Sequence, residues 1–152
     1  MAAGFTIEDS KITYLNDFII NKIDNLLING IPRPFFIASS VLPISACTYE
    51  LAYWLESLGP WGTEMEEPKF IISNAKISSL RRFGSNNEHA SFYITDGSSN
   101  KLKVKKFNLL NSDLNTVLNN FENKKFSFLG SLNIDTWNNS KLVELMLDDI
   151  IY

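Results

Sequence analysis

Beyond Lys69 the apolar residues of this chain stop recurring at helical spacing and begin to alternate, and that change of period narrows the fold more than any other feature. Phe70 to Leu80 is one long β-prone run and Ala90 to Thr95 a second. Asp96-Gly97, with Ser98, Ser99 and Asn100, turns the chain into a third run at Lys101 to Phe107. Asp113 to Phe121 then carries Leu114, Val117, Leu118 and Phe121 at helical spacing. Phe126 to Asp135 and Leu142 to Ile151 complete the series, joined through Trp137-Asn138-Asn139. Alternation in the second run puts Phe92 and Ile94 on one face, toward the core, and Tyr93 on the other.

Three strands, a helix and two strands is the order of a five-stranded OB barrel. The part before Lys69 reads as helical. Thr6-Ile7-Glu8-Asp9 fits a capping box, and Ile12, Leu15, Ile19, Ile23 and Leu26 form one apolar stripe that ends at Asn29-Gly30. Pro32 and Pro34 break the chain, Phe35 to Ser39 reads as a short strand, and Thr48 to Ser57 as a second, shorter helix ending at Gly59-Pro60. The fold class predicted is therefore α+β and mainly β: a five-stranded OB-like barrel preceded by an N-terminal helical extension. The divisions expected are 1–30 (helical), 31–68 (a connecting segment) and 69–152 (the barrel).

A chain of 152 residues with 45% hydrophobic content can bury one core with a small satellite. Its one cysteine, Cys47, has no partner for a disulfide or a Cys/His zinc cluster and reads as a small buried hydrophobe in a reducing compartment. The longest apolar stretch, Phe35 to Cys47, is interrupted by Pro43 and several serines and falls short of the roughly 20 residues of a membrane helix. The start carries no basic region, so a cytoplasmic location without membrane contact is expected.

A net charge of −3 conceals a strong segregation of sign. Between Lys69 and Asn108 eight basic residues face only Glu88 and Asp96, a net +6, which leaves −9 for the remainder. Phosphate neutralisation is the commonest use of such a basic segment, and a solvated face is the alternative. On an OB barrel, single-stranded nucleic acid lies across the strands, its phosphates met by Lys and Arg and its bases stacked on aromatic rings. Arg81, Arg82, Lys103, Lys105 and Lys106 are the phosphate-contact candidates, and Tyr93 is the candidate platform, with Phe83 and Phe107 interleaved among the basic residues. His89, the sole histidine, has no nucleophile beside it, and a metal site would have to be built from carboxylates such as Glu88. A turn-stabilising hydrogen bond or a nucleic-acid contact remains for it.

The most specific local signal is the turn Gly59-Pro60-Trp61-Gly62: the glycines permit tight backbone, Pro60 stiffens it, and Trp61 can plug the junction between the short helix and the barrel. With Leu58 before it, Pro68-x-Phe70 after it, the opening Met-Ala-Ala-Gly-Phe-Thr, and the close at Trp137 and Asp149-Ile150, the chain resembles the C-terminal part of RecJ, the bacterial exonuclease that degrades single-stranded DNA. The resemblance implies the end of a DHH-associated domain followed by an OB-like domain, and a histidine is common in that family at the position of His89. It also implies that catalysis, with manganese or magnesium, belongs to a DHH domain whose Asp and His motifs are not found here, so no cofactor or metal and no enzymatic activity are expected of this chain alone. The partners implied are single-stranded DNA and, as candidate proteins, a RecJ-like catalytic subunit or a single-strand-binding protein. Two features depart from the family pattern: Glu64-Met65-Glu66 replaces a Gly-Asn-Pro element, and Lys105-Lys106 stands where apolar residues are usual. The alternative reading is an interaction fragment that docks on a separately encoded catalytic half, with self-association through the N-terminal helix, or a gene remnant without function.

Overall fold

A computed structural model describes residues 4, 6–27, 30, 36–109, 112–136 and 141–151. They fall into two compact units, residues 1–36 and 37–152. The expected breaks at Asn29, Pro32 and Pro34, the start of the Phe35 strand and the Trp137 turn lie outside the described residues.

In the first unit a single 3-10 turn, Asp9–Lys11, leads into helix α1, Ile12–Leu27. The capping box expected at Thr6 does not form. The cap is Glu8, in extended conformation and without a side-chain cap bond; the turn closes through the Lys11 N–H donating to the Glu8 carbonyl at 2.8 Å and a Lys11–Glu8 ion pair at 2.9 Å. A tighter i to i+3 first turn takes up the early amide, so Thr6 lies too far upstream to serve it. At the other end Gly30, at φ +88°, donates its N–H to the Leu27 carbonyl at 2.7 Å, a left-handed stop of the kind that favours glycine. Helix α1 contains no buried residue.

The second unit begins with strand β1, Ser40–Val41, rather than the expected Phe35–Ser39. The Ser39 and Leu42 amides reach the carbonyls of Lys69 and Ile71, which leaves room for two parallel pairs, Ser40 with Phe70 and Val41 with Ile71. After a 3-10 turn at Ile44–Ala46 comes helix α2, Tyr49–Leu58, capped by the Thr48 hydroxyl accepting from the Leu51 N–H. Cys47 packs against the core, its thiol pushed up to about 11 by burial.

The barrel follows as β2 (Phe70–Phe83), β3 (His89–Thr95), β4 (Leu102–Lys106), α3 (Asp113–Asn119), β5 (Phe126–Asp135) and β6 (Leu142–Ile151). Strand order is β1-β2-β3-β4-β6-β5, and β5 also pairs with β2, which closes a ring of five strands. The β4–β6 pairing is parallel, so the chain must cross over between them, and α3 with β5 makes that crossover. This is an OB-like barrel.

Closure depends on one long strand serving two neighbours. Strand β2 pairs with β5 through its first half and with β3 through its second, and the register slips by one residue between Ile72 and Ala75 and again between Ser78 and Arg81. Asn74 (φ +58°) and Ser79 (φ +54°) absorb those bulges, each of which bends and twists the strand. A third slip, between Leu129 and Gly130, leaves Asp148 as the extra residue of β6. Inside the ring Phe92, Ile94, Val104, Phe128 and Leu145 are fully buried, and Leu118 and Leu114 of α3 join the same core. Phe92 and Ile94 thus occupy the face that alternation assigned to them.

Candidate nucleic-acid interface

Because Ala90, Phe92, Ile94, Leu102 and Val104 point inward, their neighbours in β3 and β4 point out, and pairing lines those outward residues up across the sheet. Three rows result. Phe83 opposes His89 at one end. The next row runs Arg81, Ser91, Lys105, Met146, and the third Ser78, Tyr93, Lys103, Glu144. Of the residues singled out from sequence, Arg81, His89, Tyr93, Lys103 and Lys105 therefore share one outer face.

Arg82 and Lys106 do not join them. Both are paired with the buried Ala90 and so have the opposite strand phase from Arg81 and Lys105. Arg82 donates from Nη2 to the Asn119 Oδ1 at the end of α3, 2.7 Å away. Lys106 donates from Nζ to the Asp148 carbonyl at 3.1 Å. It also lines, with Lys69, Lys105, Phe107 and Asp148, a cleft of about 310 Å³ beside β4 and β6. Within that cleft Lys69 is ion-paired with Asp148.

At the first row the rings of Phe83, His89 and Phe107 pack edge to face, with centroids 5.0 to 5.9 Å apart. Phe107 is 43% exposed and, two rows away, Tyr93 is 37% exposed, so both rings offer surface to solvent. His89 also holds the backbone: its Nδ1 accepts the Asn108 N–H at 3.2 Å, which in the neutral ring places the proton on Nε2. The Leu109 N–H bonds the neighbouring Glu88 carbonyl at 2.7 Å, so the β3 start clamps the β4 exit.

The β2–β3 loop beside these rings is tightly built. The Asn86 N–H donates to Glu88 Oε2 at 2.7 Å, and the amides of Glu88 itself and of Asn86 hold the Glu88 carboxyl below its ordinary value. Because the folded carboxyl is the stronger acid, its contribution is complete above the ordinary carboxylate range and is lost as pH falls through the folded value. An NMR titration should accordingly show Glu88 titrating below a peptide glutamate, with Asn86 amide protection falling in the same acidic window. A Glu88 that titrates like a free side chain would refute the assignment.

The lysines of the face are not free. Lys103 Nζ lies 2.7 Å from Asp135 Oδ2 and 3.4 Å from Glu144 Oε2, and Lys105 Nζ lies 3.3 Å from Asp135 Oδ2 and 3.0 Å from Glu144 Oε1. Burial works to lower the Lys103 pKa, but the hydrogen bond to Asp135 and the charges of Glu144 and Asp135 outweigh it and hold the ammonium above its ordinary range. Sequence reasoning missed both carboxylates. The signal for one was present: Glu144 interrupts the apolar run Leu142 to Leu147. Arg81 and Lys76, also outward and exposed, have no carboxylate partner among the described residues.

The Gly59–Pro60 peptide is cis, and the turn it opens closes through reciprocal bonds between Gly62 and Met65, at 2.9 and 3.2 Å. Trp61 lines a small cleft together with Leu55 and Glu56 of α2, Pro68, and Leu132 of β5. Glu56 Oε1 accepts the Ile134 N–H at 3.1 Å, tying α2 to β5. Among the described residues no three His, Cys, Asp or Glu side chains are grouped to hold a metal ion, and no helix is long and apolar enough to cross a membrane.

Comparison with known proteins agrees with the barrel fold. The family model described as the RecJ OB domain matches residues 38–149. The single-stranded-DNA-specific exonuclease RecJ of Bacillus subtilis (strain 168) is 27% identical over 149 residues, which cover 98% of this chain and 18% of that protein. The chain thus spans less than a fifth of the length of the curated relative it matches.

Proposed function

The chain belongs to the RecJ OB-domain family, and on that premise we propose that it grips single-stranded DNA for a RecJ-like exonuclease through the outer face of β2, β3 and β4. The observation that carries the reading is the juxtaposition of Arg81, a cation with no carboxylate partner among the described residues, with the exposed rings of Tyr93 and Phe107 on the same side of the barrel. Rings take bases and cations take phosphates, a combination that selects single strands because a duplex keeps its bases stacked inside. No catalytic step is assigned to this domain; bond cleavage, with manganese or magnesium, belongs in this reading to a DHH core. The Glu64-Met65-Glu66 segment adds two exposed carboxylates, which would turn phosphates away from the α2 side and keep the strand on the β2–β4 face.

Fluorescence anisotropy of a labelled single-stranded oligonucleotide at two salt concentrations tests the reading, with duplex DNA as control. Tyr93→Ala should weaken binding by about 1 to 3 kcal/mol, and Arg81→Gln should reduce the salt slope by about 1. Neither should lower thermal stability much, since both side chains face solvent. Equal binding to duplex, or no binding at low salt, would defeat the proposal. In the latter case the docking reading gains, since helix α1 contains no buried residue; its mark would be a concentration-dependent dimer in sedimentation.

A further inference from the structure

We propose that Asp135 and Glu144 set the strength of nucleic-acid binding on this face, by holding Lys103 and Lys105 in a charge-neutral cluster that a phosphate backbone cannot use. The inference rests on the reading of the β2–β4 face as the single-strand surface. Two ammonium groups and two carboxylates meet within 2.7 to 3.4 Å, and the four side chains are only 22, 21, 9 and 6% exposed in the order Lys103, Lys105, Asp135, Glu144. The acids are the most covered members, one at the end of β5 and one near the start of β6, so the barrel backbone presents them to the lysines at a fixed short range. A phosphodiester arriving from solution competes with carboxylates already in place, at far higher effective concentration than any strand. The lysines therefore add little to affinity, and the face relies on Arg81 and its rings.

The cluster is also not fully satisfied. Glu144 Oε2 stands at ion-pair distance from Lys103 yet accepts no hydrogen bond, so the balance is one of charge rather than of complete bonding. Removing one carboxylate leaves two ammonium groups sharing one anion in a largely covered site, and an excess buried charge seeks a new partner. On this face that partner is phosphate.

The test is anisotropy of a single-stranded oligonucleotide across a salt series, with folding checked by circular dichroism. Asp135→Asn and Glu144→Gln should each tighten binding by about 3- to 10-fold at low salt and steepen the salt slope by up to about 1. Glu122→Gln, which removes an equal charge from an exposed site after α3, should change affinity by less than about twofold. The fourfold variant Lys103→Met/Lys105→Met/Asp135→Asn/Glu144→Gln removes the cluster without altering net charge and should bind like the unaltered chain. If it instead loses affinity and salt slope, the lysines contact phosphate and the inference is wrong. Folded single variants with unchanged binding would also overturn it, and if the single variants fail to fold, the fourfold variant decides. Loss of binding in Arg81→Gln separates the two levels: where it persists and the cluster variants do nothing, only the inference falls. Where no variant and no unaltered chain binds, the parent reading falls too.

Discussion

Replacing Gly130 by alanine is expected to cost the barrel about 3 kcal/mol or more, the upper end of what overpacking does in a well-packed interior. Gly130 stands in β5 between two partners, opposite Phe70 of β2 and Leu147 of β6, at the register slip that lets the ring close. A methyl group there would lie 2.1 Å from the Met146 carbonyl oxygen, 2.9 Å from its carbon and 3.2 Å from Leu145 Cγ. The first two are backbone atoms of a strand hydrogen-bonded on both sides, so they cannot swing away as a side-chain tip would. By contrast, at Gly84 the nearest atoms to an added methyl would be those of the Glu88 carboxylate, a side-chain end rather than backbone, though its φ of +91° also favours glycine. Urea and thermal unfolding measure the effect, and for a domain of this size the melting point should fall by roughly 10 °C. A loss under about 0.5 kcal/mol would show that β5 and β6 separate at no cost and that the close approach is not what makes glycine necessary.

Phe92→Ala should be comparably damaging, at about 3 to 5 kcal/mol, because the ring is completely buried and packs 6.0 Å from the ring of Phe128. Its removal leaves a cavity bounded by strands of a closed barrel, which can collapse only by distorting their hydrogen bonding. The neighbouring Tyr93→Ala is the matched opposite. That ring faces outward, so its loss should spare stability and weaken single-strand binding. Measuring both quantities on both variants separates the two faces of one strand. Phe92→Ala with unimpaired stability, or Tyr93→Ala that unfolds the domain, would contradict the strand orientation on which the interface depends.

Several elements could be read from the residues alone because their determinants are local. Strands β5 and β6 begin and end where the sequence reading places them, at Phe126–Asp135 and Leu142–Ile151, and α2 lies one residue on from the expected Thr48–Ser57, with Thr48 as its cap. Strand β2 runs three residues past the expected Leu80, to Phe83, because a bulge at Ser78–Arg81 resets the alternation that sequence reading follows. Helix α3 stops at Asn119, two residues short of Phe121, although Phe121 still packs against the core. The two-residue β1 is too short for any period to register.

The candidate site was legible as a composition and not as a surface. Arg81-Arg82 and Lys105-Lys106 look like two equivalent pairs in the sequence, yet successive strand residues face opposite ways, so each pair can give only one member to a given face. For Arg81-Arg82 the outward member depends on the bulge between Ser78 and Arg81, which follows from how β2 is shared between β3 and β5; β4 has no bulge, and the inward Leu102 and Val104 set the phase of Lys105.

What the amino-acid sequence determined by itself was the helices and the five barrel strands, their order, and the inward residues Phe92 and Ile94, since period and turn residues act over a few positions. Tertiary structure alone decided that Gly130 must have no side chain and that Lys103 and Lys105 are neutralised by Asp135 and Glu144, some 30 to 41 positions further along the chain. Steric exclusion and charge compensation depend on distance through space, and those distances exist only once β4 has paired in parallel with β6 and the ring has closed.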